Sequence, residues 1–487
     1  MMYRTLEWPW LSAFLAFGLF CAIVIGRGSD PRLARKLAVV VASLFTIAGI
    51  VATILFYNVM NPTPWVDPLR VIGFHEEPLL AVDSLNALLL PFASILSLSA
   101  LLATPRALMT PARIGIILWQ LCAVWLLFLS EDLILVAVAW VIGLMPLLPS
   151  RHTMWSLGGH IHVPYLVLSC VLFIAGVAGI IQAGVDAQVL APSSLLDAHG
   201  IEAYIPRWVL PAILIAVMIR KGVFPFHSWM PSLADREGTS TVALLAAPQV
   251  SLFVLIRIGL AIFPSASAEA MPWVGQIALV ATLYGAVVGL GARDMRRAYG
   301  WMVVSQSSLV LVGLECANIS GITGALVLWI AMGLSLTGLG LAIACIESRV
   351  NRIDLRKFYG LGVQAPILAT CFLILGMASV GLPGTLGYVA EDLIAHGTLD
   401  AHPWTGIAMI LATAANGFNV LRCFFRIFGG PSPEGRYVWD LLLRERLALV
   451  GLVVLLIVSG IFPGPLVDTR TSVAVQLVSD VSESHAH

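Results

Sequence analysis

Fourteen apolar stretches constrain this chain more than any other feature. Each is about as long as the ~20 residues a helix needs to cross a hydrocarbon layer. They fall at 10-26, 36-58, 79-103, 112-129, 131-149, 161-184, 206-230, 239-263, 271-292, 297-317, 320-347, 364-397, 403-428 and 446-466. A bilayer core offers the backbone no hydrogen-bond partner, so such stretches must be helices that satisfy their own amides. The longest polar connections, 59 to 78, 185 to 205 and 429 to 445, are too short to build a core of their own. Only 11% of the 487 residues are charged and mean hydropathy is +0.95, whereas soluble domains carry about 25% charge. The expected fold is an all-α polytopic membrane protein with about 14 transmembrane helices.

Two stretches carry breaks. One ends in Arg220-Lys221-Gly222-Val223-Phe224-Pro225-Phe226-His227-Ser228-Trp229-Met230-Pro231, where Gly222 loosens the helix and Pro225 and Pro231 each remove a backbone donor. The other, 364-397, is too long for one straight helix and holds Gly381-Leu382-Pro383-Gly384 in its middle. Interrupted helices in corresponding positions of two halves are a sequence mark of inverted repeats in transporters. The breaks fall in the seventh and twelfth stretches, a spacing of five helices, which fits repeats of five. The expected division is N-terminal helices at 1-103, a first repeat at 112-263, a second, inverted repeat at 271-428, and a C-terminal helix and tail at 446-487. The tail after Arg470 is expected to be frayed or held by a partner.

The basic residues alternate by loop. Arg27, Arg32, Arg35, Lys36, Arg106, Arg113, Arg151, Arg236, Arg293, Arg296, Arg297, Arg349, Arg352, Arg356, Lys357, Arg436, Arg444 and Arg446 all fall in odd-numbered loops or at their edges. The even loops offer little beyond Arg70 and Arg207. By the positive-inside rule the odd loops are cytoplasmic and both termini face outward, as in a bacterial plasma membrane. The first run continues as a span with no clean cleavage site, so no cleavable leader is expected. A net charge of zero gives no case for nucleic-acid binding.

Ionisable residues inside such runs are expensive and mark pathways by default. Lys221 follows an apolar run and costs roughly 2.5 kcal/mol or more there. Beside His227 and a helix break it points to a hydrated, protein-lined position, with snorkelling to the headgroups as the plain alternative. Glu391 and Asp392 stand two turns beyond the second break, facing a cavity or capping a helix at the surface. Gln249 follows Pro248 in an apolar helix and suits a bond across helices or a wet path. Asp83, Glu131 and Asp132 lie at helix starts, where acids suit the dipole; Arg257, near a helix end, either snorkels or serves the path. Desolvation raises carboxylate and lowers lysine pKa values in general, which is what a proton relay at neutral pH needs. Cys21, Cys122, Cys170, Cys316, Cys345, Cys371 and Cys423 are scattered singly, with no spacing for a zinc or iron–sulfur site. Neither metal nor cofactor is expected.

Three stretches carry a resemblance. Lys221 to Pro231 resembles the Lys-x-x-x-Phe-Pro-x-His-x-Trp-Leu-Pro signature of the antiporter-like, proton-conducting membrane subunits of respiratory complex I, Mrp antiporters, membrane-bound hydrogenases and inorganic-carbon uptake complexes. Ala292 to Ser308 is similar to the family's Asp-x-Lys-Arg-x-Leu-Ala-Tyr-Ser-x-x-Ser-Gln segment, and Gly381 to Glu391 to its Gly-Leu-Pro-Gly-x-x-x-Phe-x-x-Glu segment. The resemblance implies a chain of buried lysines and glutamates joined at mid-depth, with Lys221 as the central lysine and Glu391 as the acidic end group. The implied proton path comprises Lys221, His227, Gln249, Glu131, Asp132, Glu391 and Asp392. It further implies partners: other membrane subunits and a soluble catalytic subunit, as in an NADH-quinone oxidoreductase-like or hydrogenase-like complex.

The chain departs from the pattern in three places. Ala139-Trp140-Val141 stands where the family has Gly-Trp-Glu, so the glutamate expected opposite Lys221 is missing and Glu131 or Asp132 becomes its nearest acidic candidate. Gln249 stands where a lysine is expected, and Leu326 to Ile346 contains no lysine. Two other readings therefore stay open: a non-conducting scaffold that anchors a soluble catalytic partner, and a sodium/proton antiporter subunit.

Overall fold

The structure is a computed structural model that describes residues 4–5, 8–58, 64–67, 78–106, 109–147, 161–189, 191–195, 198, 200–431 and 439–484. Arg70, Arg151 and Arg436 of the loop pattern lie outside the described residues. The helices in chain order are α1 (Trp10–Gly26), α2 (Pro31–Tyr57), α3 (Leu89–Ala103), α4 (Pro111–Leu129), α5 (Leu133–Ile142), α6 (His162–Asp186), α7 (Val209–Lys221), α8 (Trp229–Glu237) and α9 (Thr239–Ala246). There follow α10 (Val250–Val254), α11 (Pro264–Gly291), α12 (Met295–Glu315), α13 (Ile319–Val350), α14 (Pro366–Ala378), α15 (Leu386–Ala401), α16 (Pro403–Phe428), α17 (Leu443–Ile461) and α18 (Gly464–Ser484). Among the described residues, seven helices are long and apolar enough to cross a membrane, or eight if the bent pair α17 and α18 forms one span. Four shorter apolar helices, α1, α3, α5 and α14, accompany them. The chain is thus a helical integral membrane protein. A small sheet of Arg4–Thr5, Trp65–Val66 and Ala81–Val82 is an addition, among the described residues, to an otherwise helical expectation.

Burial separates the helices by role. The apolar window of α13 is entirely buried, and this helix packs against α3, α9, α12, α14, α15, α17 and α18. A helix apolar on every side needs such a surround. By contrast α2 leaves Leu33, Leu37, Val40, Leu44, Ile47, Val51 and Ile54 exposed along its length, as a lipid-facing helix must.

Three long runs split. Run 206-230 breaks between α7 and α8, and run 364-397 between α14 and α15, at the two predicted sites. The third split, within 239-263, was not anticipated. There Gln249 adopts left-handed φ 46° and ψ 46° after Pro248, and Leu255–Leu260 then continues α10 as a π-helical turn. The tail also differs from expectation, since α18 runs on through Ser484, bent 73° from α17. Val467, Val473, Ala474, Leu477 and Val478 give it an apolar stripe that packs on the core. Arg470 fastens it, donating to the carbonyls of Leu85 at 3.0 Å and Ser84 at 2.9 Å and to the Tyr57 hydroxyl at 3.2 Å.

Candidate functional site

The first break places Lys221. Gly222, at φ +74°, ends α7 in the left-handed conformation that glycine adopts without strain. Its N–H reaches Ile219 O at 3.1 Å while Val223 N–H reaches Met218 O at 3.0 Å, the paired bonds of a Schellman ending. Trp229 Nε1 also donates to Ile219 O, at 2.8 Å, so the Met218 and Ile219 carbonyls at the break are satisfied from within the protein. Lys221 is 4% exposed, and its ammonium donates to Gln249 Oε1. Among the described residues it has no ion pair. The sequence expectation that Glu131 or Asp132 supports Lys221 is corrected: Glu131 pairs with Arg257, and Asp132 caps α5 through Leu135 N–H at 2.9 Å and accepts Ser193 Oγ–H at 2.6 Å. Val141, at the expected glutamate position, is half-buried.

Two breaks meet here, because the left-handed turn at Gln249 carries the amide that accepts Lys221 Nζ. The freed Pro248 carbonyl accepts Trp329 Nε1–H at 2.9 Å. A small cavity of about 10 Å³ adjoins Gln249, lined by Tyr299, Val303, Ser307, Met332 and Gly333 among others, room for about one water. The π-helical turn beyond aims Arg257 at Asp83 and Glu131 together. Asp83 also accepts Leu85 N–H at 2.9 Å and Asn86 N–H at 2.8 Å. Arg257 therefore does not snorkel; it ties three chain segments.

The second break places Glu391. Gly381 and Gly384 both have positive φ, +74° and +85°, and the carboxyl of Glu391 tucks beneath the turn, Oε2 lying 2.8 Å from where a Cβ on Gly381 would sit. Glu391 is 8% exposed, and its Oε1 has no hydrogen-bond partner among the described residues; Thr413 of α16 lies beside it. Asp392, one residue on, has a side chain 52% exposed and stands 3.7 Å from His396 Nδ1. The two acids thus part company around the helix.

Polar atoms are buried along α12 and α16. Asn416 Nδ2 donates to Ser305 Oγ at 2.7 Å, and Ser305 Oγ donates to Thr282 O at 2.7 Å. Both amide atoms of Gln306, Asn416 Oδ1, Asn419 Nδ2 and Thr413 Oγ1 are buried with no hydrogen-bond partner among the described residues. Buried polar atoms of this kind are where interior water makes its bonds. His227 lies elsewhere, in an aromatic group with Phe224 at 5.5 Å, Tyr284 at 5.0 Å and Trp301 at 5.4 Å between ring centroids.

Sequence reasoning missed several of these groups. Ser305-Gln306-Ser307-Ser308 is a polar run inside an apolar helix, and Asn416 and Asn419 share a face at i, i+3; both patterns were legible. Arg220 is the other omission. It is 5% exposed, donates to Trp140 O at 2.9 Å and sits 4.1 Å over the Trp140 ring, a cation–π contact in place of a carboxylate.

Compared with known proteins, residues 137–415 match the family described as NADH:quinone oxidoreductase/Mrp antiporter, TM. The chain is 28% identical to NAD(P)H-quinone oxidoreductase chain 4 1 of Synechococcus sp., over 98% of this chain and 95% of that protein. It is 28% identical to NADH-quinone oxidoreductase subunit M of Mycobacterium tuberculosis over 55% of this chain, spanning only 49% of that relative. Among solved structures, a chain of respiratory complex I from Thermus thermophilus superposes with a TM-score of 0.81 at 23% identity, covering 97% of this chain and 99% of that one.

Proposed function

Because the chain belongs to the NADH:quinone oxidoreductase/Mrp antiporter membrane family, we propose that it is a proton-translocating membrane subunit of a multi-subunit energy-coupling complex. The observation that carries this reading is the pair of helix breaks. Each holds a buried ionisable group, Lys221 and Glu391, that no opposite charge neutralises among the described residues. An ionisable group kept in a membrane interior without an opposite charge is a functional group by default. The buried atoms of Gln306, Asn416 and Asn419 on α12 and α16 that lack a partner among the described residues support a hydrated connection.

In this reading the chain has fourteen transmembrane helices with inverted repeats at 112-263 and 271-428. Protons cross by Lys221, Gln249 and Glu391. Glu131 instead serves the ion pair with Arg257, and Asp132 and Asp392 lie off the path. Partners are further membrane subunits and a soluble catalytic subunit, which would carry any electron transfer or hydration chemistry; complex I-like, hydrogenase-like and inorganic-carbon uptake complexes all fit. The membrane is the bacterial plasma membrane, with odd loops cytoplasmic and both termini outside. A second reading, a non-conducting scaffold, is favoured by one observation: Val141 leaves Lys221 with an amide rather than a carboxylate.

The test is ion flux in vesicles holding the chain with its partner subunits. An imposed proton gradient should dissipate at the same rate in sodium and in choline medium. A rate that requires sodium would make it a sodium/proton antiporter, and no protein-dependent flux would make it a scaffold. Orientation is tested separately by placing cysteine at Arg293. An impermeant thiol reagent added outside should leave it unlabelled, whereas labelling from outside would invert the topology.

A further inference from the structure

Where α11 ends and α12 begins, an open hollow of about 500 Å³ is lined by Val288, Gly291, Arg293, Arg297, Trp301 and Arg352, among others. Its charges do not balance. Arg297 and Arg352 share the carboxylate of Asp235, and Arg352 also bonds Asp294 at 2.5 Å. Two carboxylates thus face three guanidiniums. Arg293 is exposed and its side chain has no hydrogen bond or ion pair among the described residues. The carbonyls at the end of α11 do not hold it, since Arg422 of α16 donates to those of Leu290 and Ala292 instead.

The other wall of the hollow is apolar and continuous with the lipid-facing side of α11. Val288 lies one turn beyond Tyr284, which contacts Trp301 at 5.6 Å between ring centroids. Tyr284, Val280 and Val287 are 42%, 50% and 62% exposed and run down one side of the helix at i, i+4 and i+7 spacing. An indole beside guanidiniums above an exposed apolar face is the polarity profile of a membrane interface. An acidic peptide would find cations at the rim but would lay its backbone on an apolar wall.

We propose that this hollow binds an anionic phospholipid, its phosphate on Arg293 and Arg297 and its acyl chains along Val287, Tyr284 and Val280. Basic pockets at the ends of membrane helices suit such headgroups, with each charge contributing on the order of fivefold in affinity. The site is independent of proton conduction, so the fate of that reading does not decide it.

The experiment is native mass spectrometry of the full chain released from mixed phosphatidylglycerol and phosphatidylcholine vesicles. Phosphatidylglycerol should be retained preferentially. Arg293→Ala should lower its retention about fivefold and Arg293→Ala with Arg297→Ala more than tenfold, with Arg27→Ala unchanged as a control for general surface charge. The Arg293 side chain makes no hydrogen bond or ion pair among the described residues, so Arg293→Glu with an unchanged melting temperature separates lost binding from misfolding, and it should abolish the preference. Equal retention of the two lipids, or full retention in Arg293→Glu, would overturn the proposal. Displacement of the lipid by millimolar inorganic phosphate would reduce the site to a free-anion site, and displacement by a soluble polyglutamate peptide would make it a protein-docking face; either result also overturns it.

Discussion

Arg257→Leu is expected to destabilise the folded chain by about 3–5 kcal/mol, the usual loss when one partner of a buried ion pair is removed. The size follows from what is left behind. Asp83 and Glu131 have side chains only 11% and 6% exposed, and without the guanidinium two carboxylates would face each other in a poorly solvated site. The cluster also has mechanical reach, because it fastens the turn before α3, the junction of α4 and α5, and the π-helical turn after α10. Arg257→Lys should recover part of the loss, since an ammonium keeps the charge but lacks the fork that holds two acids in fixed geometry. Thermal unfolding of the detergent-solubilised protein checks this: the melting temperature should fall in the order wild type, lysine, leucine. Three equal melting temperatures would show that the cluster holds nothing together.

Glu391→Gln is expected to lower proton flux by roughly 10²- to 10⁴-fold, the order of loss when a positioned proton-transfer group is removed, while assembly survives. Glutamine keeps the shape beneath Gly381 and a polar head beside Thr413, so the packing of the second break is preserved. It removes only the ability to take up and release a proton. Asp392→Asn is the matched control. Its side chain is more than half exposed, near His396 rather than under the break, so its loss should leave flux close to wild type.

Much of this arrangement could be read from sequence because the bilayer leaves few options. Gly222 with Pro225, and Gly381 with Pro383, mark breaks that backbone chemistry demands, and the structure ends α7 and α14 at both. Pro248 carried the same kind of signal for a third break. The ordinary spanning length of the surrounding run 239-263 hides it, whereas 364-397 is visibly too long. What sequence could not supply was pairing between distant segments. Sequence alone offers Glu131 to Lys221 or to Arg257, yet the π-helical turn gives it to Arg257, and the amide that meets Lys221 comes from Gln249 in a conformation no local pattern predicts. The α18 helix was missed for a different reason. Its apolar stripe is diluted by Asp468, Thr471, Ser472 and Ser479, and only the core it packs against makes the stripe count.

Proton entry into vesicles, followed with a pH-sensitive dye under an imposed membrane potential, tests most directly whether the two breaks form one conducting path. Wild type, Glu391→Gln and Asp392→Asn should be compared within the assembled complex at equal protein content. The path described here predicts fast entry for wild type and Asp392→Asn and a rate near that of empty vesicles for Glu391→Gln. Undiminished entry in Glu391→Gln would contradict it and leave the chain as a scaffold beside a conductor.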